Sequence, residues 1–217
     1  LPLRLGYVVA KRFGWLRVGV AVAVVFGALS TSPTAVSAQE ADLEVLAYDR
    51  GSPDAPVVIV EYADFACGAC GEFARDTWPA IYSEFIETGR VFWRFVPFEL
   101  GFRNSDESVR LGHCGAVLGD FWELHDALFE SQHDWLSERN PKDKLFAVAT
   151  SLGHDLEAVE QCYDDNPGKD RTKDANRAAR KDGVRATPTF FIDGFQVQGA
   201  LPFEMFEGLI EAAEAGR

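Results

Sequence analysis

Apolar runs and helical periodicities alternate along the chain and predict a mixed α/β protein. A β-branched run over residues 57–61 has the length and composition of a buried strand, and a second, aromatic-rich strand is expected over residues 90–98. Between them, a helical pattern extends from about Cys67 to Thr88, where Pro79 is expected to kink the helix or to end its first half. This part of the chain therefore predicts a strand–helix–strand unit with parallel strands and a right-handed crossover.

The middle of the chain is predicted to be helical. Apolar residues at helical spacing continue over residues 104–165 in at least three pieces, and Asn104 with Glu107 has the spacing of a capping box. A polar helix is expected over residues 168–182. Two short strands joined by a two-residue turn, the pattern typical of a hairpin, follow over residues 189–198, and an amphipathic helix comes last.

The order of these elements is that of an α/β thioredoxin fold with an inserted α-helical domain. The strand–helix–strand unit would supply the parallel part of the sheet, and the hairpin would supply the antiparallel part. We therefore divide the chain into an N-terminal lead-in, a thioredoxin-like domain in two segments, and a helical insertion between those segments. The lead-in covers residues 39–55, the thioredoxin-like domain covers 56–103 and 168–217, and the insertion covers 104–167.

The first 38 residues have the layout of a secretory signal peptide. A basic stretch, Lys11–Arg17, precedes an apolar run over residues 18–29, and small residues lead to a cleavage point after Ala38. The apolar run is shorter than the roughly 20 residues that span a bilayer, so we expect cleavage, with a retained membrane anchor as the alternative. We therefore predict an exported protein of the periplasm or another extracytoplasmic compartment.

The charge of the chain excludes one class of function. The net charge is −13, and loss of residues 1–38 would remove four basic residues and no acidic one, which leaves −17. Such an acidic domain repels nucleic acid and anionic lipid and is kept soluble by its charge. We therefore exclude a role in nucleic-acid binding.

The candidate chemistry lies in a Cys-x-x-Cys sequence, formed by Cys67 and Cys70 at the junction of the first strand and its helix. If Cys67 begins the helix, the unpaired backbone N–H groups and the positive end of the helix dipole stabilise its thiolate. Cys70, one turn further along, then lies within reach of any mixed disulfide that forms on Cys67. Because the thiolate is the nucleophile in thiol–disulfide exchange, a lowered pKa at the first cysteine selects which sulfur reacts.

Other interpretations of the four cysteines are weaker. A zinc site would need further ligands at a suitable spacing, and the sequence has no second Cys-x-x-Cys and no His-x-x-x-His. A purely structural Cys67–Cys70 bridge would close so short a loop that it would add little stability. Cys114 and Cys162 lie singly on apolar faces; in an oxidising compartment we predict a disulfide between them, with two buried free thiols as the alternative.

The chain resembles the DsbA-like thioredoxin family of exported thiol–disulfide oxidoreductases over nearly all of residues 50–215. The matching stretches, in the family's order and spacing, are residues 51–70, 121–129 and 183–194. A lone Cys-x-x-Cys would not carry this resemblance, whereas the three stretches together do. The resemblance implies that Cys67 is the exposed nucleophile and that Cys70 is the buried resolving cysteine.

The same resemblance implies three further site residues. Thr187 and Pro188 match the loop whose proline is cis and faces the two cysteines, and the Thr187 backbone would be free to pair with an extended substrate. Glu61 matches the buried acid of the family. Its carboxyl would accept the proton of Cys70, and burial would raise its pKa toward the useful range. A surface acid at the end of the strand is the alternative for Glu61.

The family also implies a function and a partner. We expect a thiol–disulfide oxidoreductase that acts on reduced or misoxidised exported proteins and needs no metal or organic cofactor. A membrane-bound, quinone-linked thiol oxidase would regenerate its disulfide. The dipeptide between the cysteines, Gly68-Ala69, departs from the proline and histidine of strong oxidases and adds no charge. We expect a disulfide-forming oxidase; a disulfide isomerase or reductase with the same site, and a non-enzymatic exported binding domain with structural disulfides, are the alternatives.

Overall fold

The computed structural model of the protein describes residues 43–119 and 121–216. The predicted signal peptide or anchor, residues 1–38, lies outside the described residues, and so does Asp120. Export therefore stays a prediction. In the part of the chain that is described, no helix combines the length and the apolar character needed to cross a bilayer.

The described residues contain one mixed five-stranded sheet. Its strands are β1 (Tyr48–Arg50), β2 (Val57–Ala63), β3 (Val91–Pro97), β4 (Thr189–Ile192) and β5 (Phe195–Gln198). The spatial order is β1–β3–β2–β4–β5. Strands β2 and β3 are parallel, whereas the pairs β1–β3, β2–β4 and β4–β5 are antiparallel. The parallel first half and the antiparallel hairpin thus share a single sheet.

The helices surround this sheet, and most of them lie between β3 and β4 in the chain. They are α1 (residues 43–46), α2 (Gly68–Asp76), α3 (Trp78–Ile81), α4 (Ser105–Leu118), α5 (Phe121–Glu130), α6 (Gln132–Trp135), α7 (Lys142–Ser151), α8 (Leu156–Asp165), α9 (Lys169–Lys181) and α10 (Phe203–Ala215). A thioredoxin fold with an α-helical insertion, the predicted fold class, is confirmed.

The single helix expected from Cys67 to Thr88 is divided into several segments. Helix α2 ends before Thr77, and Pro79 lies in the first turn of α3. Proline is tolerated there because the first N–H groups of a helix have no partner within it. A π-helical segment, Tyr82–Ile86, follows. Pro79 therefore marks the end of the first half of the helix, as predicted, but the second half is not a regular α-helix.

Two elements of the lead-in were not predicted from its polar composition. Helix α1 is a single turn, and the three residues of β1 form the edge of the sheet beside β3. Asp49 of β1 accepts two hydrogen bonds from the guanidinium of Arg94, at 2.9 and 3.1 Å. Helix α1 is held by burial of Leu43 and Leu46. Elements of three or four residues are too short to show a periodicity, so they leave no pattern in the sequence.

The capping box expected at the start of α4 does not form. Asn104 precedes the helix with a left-handed backbone, at φ 65°, and its side chain makes no capping hydrogen bond. Its Nδ2 atom instead lies 3.0 Å from each of the carbonyl oxygens of Trp135, Leu136 and Glu138. Asn104 therefore ties the start of α4 to the chain that follows α6.

The side chains of β2 alternate between two cores. Ile59 and Ala63 belong to the larger core, which also contains residues of α2, α3, the insertion and α10. Val60 and Tyr62 belong to the smaller core, together with residues of α1 and α9. Because side chains alternate along a strand, Glu61 points to the same face as Ile59 and Ala63, which is the face covered by α2.

A disulfide joins Cys114 of α4 to Cys162 of α8 across 48 positions of the sequence. Both cysteines belong to the larger core. Cys67 and Cys70 are free thiols. The structure therefore shows the insertion helices bridged and the Cys-x-x-Cys pair in its reduced state.

Replacing Cys114 and Cys162 together by alanine is expected to lower the free energy of unfolding by about 3–4 kcal/mol, because closing a loop of this length restricts the unfolded chain. Urea denaturation followed by circular dichroism measures the loss. Cys162→Ala alone should lose a similar amount, since either change breaks the same bond. A loss below about 1 kcal/mol would mean that the bridge does not stabilise the insertion.

Candidate active site

Cys67 occupies the position immediately before helix α2. Its backbone is extended, with φ −84° and ψ 121°, and its Sγ accepts a hydrogen bond from the backbone N–H of Cys70 at 3.4 Å. Side chains that accept such a bond at a helix start are usually those of Ser, Thr, Asp or Asn. Here a sulfur takes that role, so negative charge on Cys67 meets the unpaired N–H groups and the positive end of the helix dipole.

Both thiols of the pair are buried, with 4% of Cys67 and none of Cys70 exposed. The expectation that Cys67 is exposed is therefore wrong for this reduced form. Its sulfur is covered by the loop before β4, where Cys67 Sγ donates a hydrogen bond to the carbonyl oxygen of Thr187 at 3.2 Å. In this thiol form, a partner must displace the contact before it can reach the sulfur.

The covering loop contains the predicted Thr187–Pro188 pair, whose peptide bond is cis. The N–H of Gly199 donates to the carbonyl oxygen of Pro188 at 2.8 Å and holds the loop beside the end of β5. Thr187 Oγ1 is buried and has no hydrogen-bond partner in this thiol state among the described residues. The Thr187 side chain helps to lower the pKa of Cys67, as a hydroxyl able to donate to a thiolate would do.

The two thiols of the pair have opposite pKa shifts. A hydrogen bond from the Cys70 side chain is the main cause that lowers the pKa of Cys67, from 9.0 to about 6; burial opposes it, and the backbone N–H groups of Ala69 and Cys70 assist. Burial raises the pKa of Cys70 well above its ordinary value, and the neighbouring Cys67 adds to the effect. Cys67 is therefore the thiolate at neutral pH, and Cys70 keeps its proton.

Glu61 lies beneath this pair in the centre of the sheet. It is 3% exposed, and its Oε2 accepts a hydrogen bond from Trp93 Nε1 at 3.1 Å. Burial raises the pKa of Glu61 to about 8, the bond from Trp93 opposes this, and negative charge on Cys67 adds to it. Charge on Glu61 in turn raises the pKa of Cys70. The structure thus makes Glu61 a buried carboxyl that is coupled to both cysteines rather than a surface acid.

Asp64, which the sequence analysis did not identify, holds the segment before α2 in place through hydrogen bonds. Its carboxylate accepts hydrogen bonds from Ser105 Oγ at 2.6 Å, from the N–H of Leu100 at 3.0 Å and from the N–H of Ala66 at 2.9 Å. Its own carbonyl accepts the N–H of Cys67 at 2.9 Å. Asp64 therefore links the backbone of Cys67 to the loop that follows β3.

Gln132 is a second residue that the sequence analysis missed. It is 3% exposed, and its Nε2 donates to the carbonyl oxygens of Phe65 at 2.7 Å and Cys67 at 2.9 Å. Gly71, a glycine inside a predicted helix, was the signal that could have pointed to a close approach of this kind. No pattern within the sequence identifies Gln132 as the residue that makes it.

The structure brings one set of predicted site residues together and places another set apart from it. The set around the helix start comprises Cys67, Cys70, Glu61, Thr187 and Pro188. The second set is the disulfide of Cys114 and Cys162 within the insertion. Across residues 43–119 and 121–216, no three His, Cys, Asp or Glu side chains are arranged to hold a metal ion. Within the first set, the two thiols and the Glu61 carboxyl are the groups that can exchange electrons or protons.

Comparison with known protein families gives one match that covers most of the chain. The family model described as Thioredoxin matches residues 47–212. That range contains the whole sheet, the insertion, and all the residues placed at the helix start. The match thus extends over the fold and not only over the Cys-x-x-Cys sequence.

Two solved structures resemble this fold closely. The crystal structure of Wolbachia pipientis alpha-DsbA1 has a TM-score of 0.69 and 27% sequence identity, and the match covers 78% of this chain and 92% of that one. Oxidised BdbD from Bacillus subtilis has a TM-score of 0.72 and 24% identity, with 80% and 95% of the two chains covered. BdbD supports the fold alone, since its sequence is more distant.

A curated relative belongs to a different class of protein. The sodium/proton antiporter NhaA 1 of Mycobacterium sp. (strain KMS) is 32% identical over 172 residues, which is 77% of this chain and 26% of that protein. The chain thus spans about a quarter of the length of the curated relatives that it matches. The similarity therefore concerns one segment of a much longer protein.

Proposed function

The chain belongs to the thioredoxin family, and from that premise we propose that it is an exported oxidase that introduces disulfides into cysteine-containing proteins through Cys67 and Cys70. Its class, thiol–disulfide oxidoreductase, is that of the DsbA-like proteins whose structure it shares. Beyond this class, we propose the direction of catalysis, the roles of the site residues and export. The relatives of which this chain covers about a quarter are sodium/proton antiporters, and we do not extend antiport to this chain.

The observation that carries the proposal is the asymmetry of the two thiols. The pKa of Cys67 is lowered to about 6, whereas that of Cys70 is raised. A stabilised Cys67 thiolate favours the reduced form of the pair, and a pair that favours its reduced form oxidises other thiols. The same thiolate is also the better leaving group when a mixed disulfide on Cys67 is resolved.

Catalysis begins from the Cys67–Cys70 disulfide. A substrate thiolate attacks Cys67 Sγ, so that a bond forms between these two sulfurs and the Cys67–Cys70 bond breaks. Cys70 leaves with the electron pair and takes up a proton, because its pKa is high. Glu61, with a pKa of about 8, is protonated at neutral pH, and we assign to it the supply of that proton.

A second substrate thiolate completes the reaction. It attacks the substrate sulfur of the mixed disulfide, the substrate disulfide forms, and Cys67 leaves as a thiolate. Two electrons have then passed from two substrate thiols to the enzyme pair. In the reverse direction, the Glu61 carboxylate accepts the proton of Cys70 as Cys70 attacks the mixed disulfide, so one carboxyl serves both directions.

Thr187 provides the contact for an extended substrate. While Cys67 is protonated, its S–H donates to the Thr187 carbonyl oxygen. That hydrogen is absent from the Cys67 thiolate and from Cys67 bonded to a substrate sulfur, and the carbonyl is then free to accept a backbone N–H from the substrate. Thr187 and Pro188 would therefore bind the substrate main chain next to the bond that is exchanged.

Each turnover leaves the pair reduced, so an electron acceptor must restore the disulfide. We propose a membrane-bound, quinone-linked thiol oxidase, the partner implied by the resemblance to the DsbA-like family. Reduced or misoxidised exported proteins would be the substrates, and the periplasm or an equivalent compartment the location. The Cys67–Cys70 disulfide is itself the redox centre in this scheme.

The reduction potential of the Cys67–Cys70 couple tests the direction of catalysis. We expect a value between about −120 and −200 mV, more oxidising than thioredoxin at about −270 mV. Equilibration with glutathione, acid trapping and mass analysis of the fragment that carries the pair would measure it with the Cys114–Cys162 bridge intact. A potential near or below that of thioredoxin would replace the oxidase by a reductase, and a bridge that resists reduction altogether would make it a structural disulfide.

A further inference from the structure

We propose that Gln132 of the helical insertion is a positioning residue for the redox pair, because it holds the backbone that presents the Cys67 sulfur. This inference rests on the exchange chemistry proposed above and adds a residue that lies 65 positions from Cys67 in the sequence. The Gln132 amide donates to main-chain carbonyl oxygens and not to either sulfur. It acts through the main chain on which the first sulfur is carried.

The amide of Gln132 uses its donor group on the entry to α2. Its Nε2 lies 2.7 Å from the carbonyl oxygen of Phe65 and 2.9 Å from that of Cys67. An amide nitrogen has two hydrogens, so it can satisfy both acceptors at once. Because Gln132 is buried, loss of these bonds would leave two buried carbonyls with a weakened set of partners.

Helix α2 has a glycine, Gly71, at the position that faces the Gln132 side chain. A Cβ atom at Gly71 would lie 2.2 Å from Gln132 Oε1 and 2.8 Å from Arg75 Nη1. Glycine inside a helix is less favourable than alanine, so its presence one turn after Cys67 needs a reason. The close approach of Gln132 supplies that reason, because a glycine at position 71 leaves the space that the Gln132 side chain occupies.

The consequence for Cys67 follows from electrostatics and geometry. The two carbonyl oxygens carry partial negative charge next to the residue that becomes a thiolate, and donors bound to them reduce that repulsion. The same bonds hold the turn in which the N–H of Cys70 reaches Cys67 Sγ at 3.4 Å. Removing the amide should therefore raise the pKa of Cys67, an effect that a purely structural role would not produce.

Two variants perturb this contact in different ways. Gln132→Met removes both donors at similar volume, and Gly71→Ala keeps the glutamine but forces it away from α2. In each variant we expect the midpoint of Cys67 alkylation by iodoacetamide to rise above about pH 6, and the rate at pH 5 to fall about fivefold. The charged and titratable groups that face this region are Cys70, Glu61, Asp64, Arg75 and His125. Neither variant replaces any of them, and Gln132→Met serves as the check on Gly71→Ala, in which the added Cβ would also press on the Arg75 guanidinium.

Two control variants separate positioning from stability. Gly208→Ala is the match for Gly71→Ala, because Gly208 lies within a helix and an added Cβ would meet no atom within 4 Å. The double Cys114→Ala, Cys162→Ala variant destabilises the insertion without a contact to the pair. Both controls should keep the parent midpoint, whatever their free energy of unfolding.

The outcomes distinguish this inference from the function on which it rests. A parent protein whose reduced Cys67 is not alkylated rapidly near pH 7, and which exchanges no disulfides, would remove the proposed function. A reactive parent whose midpoint is unchanged in Gln132→Met and in Gly71→Ala would overturn the role of Gln132 alone. If one of these variants does not fold, the other decides. An equal rise of the alkylation midpoint in the Cys114→Ala, Cys162→Ala control would also overturn the role of Gln132. Loss of stability alone would then be enough to raise the pKa of Cys67.

Discussion

Cys67→Ser is expected to abolish thiol–disulfide exchange. A serine hydroxyl cannot form a mixed disulfide, and Cys70 cannot replace Cys67 because it is fully buried and its pKa is raised. The measurement is the rate at which a reduced, unfolded substrate protein regains its disulfides in the presence of the variant, after the same oxidation treatment as the parent, compared with the uncatalysed rate. We expect the two rates to be equal.

Cys70→Ser is the matched variant for this test, because it retains the nucleophile. Its Cys67 should still be captured by a substrate disulfide, but the mixed disulfide should accumulate, since the resolving sulfur is missing. Non-reducing electrophoresis would detect the covalent complex. Full exchange activity in Cys67→Ser would end the proposed mechanism, whereas activity in a Cys114→Ala, Cys162→Ala protein would be in keeping with it.

Glu61→Gln is expected to slow proton transfer at Cys70 by about a hundredfold at neutral pH, within the range of general acid–base catalysis. Glutamine keeps the size and an acceptor for Trp93 but cannot exchange a proton. In the parent, resolution by Cys70 should accelerate as the pH rises through about 8, where the Glu61 carboxylate forms. Stopped-flow measurement between pH 5 and 9 should show that this rise is absent from the variant.

Stability of the reduced protein provides an independent check on Glu61. The pKa of Glu61 is raised in the folded state, from 4.5 to about 8. Its contribution to the free energy of unfolding is therefore fully present below pH 4.5 and is lost as the pH rises toward 8. The pKa of Cys67 is lowered from 9.0 to about 6, so its contribution is present above pH 9 and is lost as the pH falls toward 6. Glu61→Gln should remove the first dependence and keep the second. An unchanged rate and an unchanged stability profile would together make Glu61 a structural residue.

The parts of the site that the sequence predicts are those with local causes. The start of α2 directly after Cys67 follows from a helical pattern that begins there, and the break at Pro79 follows from the geometry of one residue. The alternation along β2 likewise places Glu61 on one face. The burial of Glu61 has no local cause, because it depends on the distant segments that pack against that face.

The parts that the sequence does not predict join distant segments. Gln132 binds carbonyls that lie 65 and 67 positions away, and Ser105 binds Asp64 from 41 positions away. Such contacts leave no periodicity, since each depends on the final packing of the insertion against the sheet. Thr187 and Pro188 were identified only through the resemblance to a family, because nothing in their own neighbourhood indicates that they face Cys67. The covering of Cys67, which overturned its expected exposure, has the same origin.

The distance in sequence between Cys67 and the residue that covers it has a consequence for biosynthesis. Thr187 follows Cys67 by 120 positions, so a chain that emerges from its N-terminus displays the reactive pair long before the covering loop exists. Cys114 emerges next, 48 positions ahead of its own partner. During that interval the only other cysteines of the emerged chain are Cys67 and Cys70. The Cys114–Cys162 bridge therefore requires either that Cys114 stays unpaired until residue 162 has emerged, or that an earlier bond to Cys67 or Cys70 is exchanged for it.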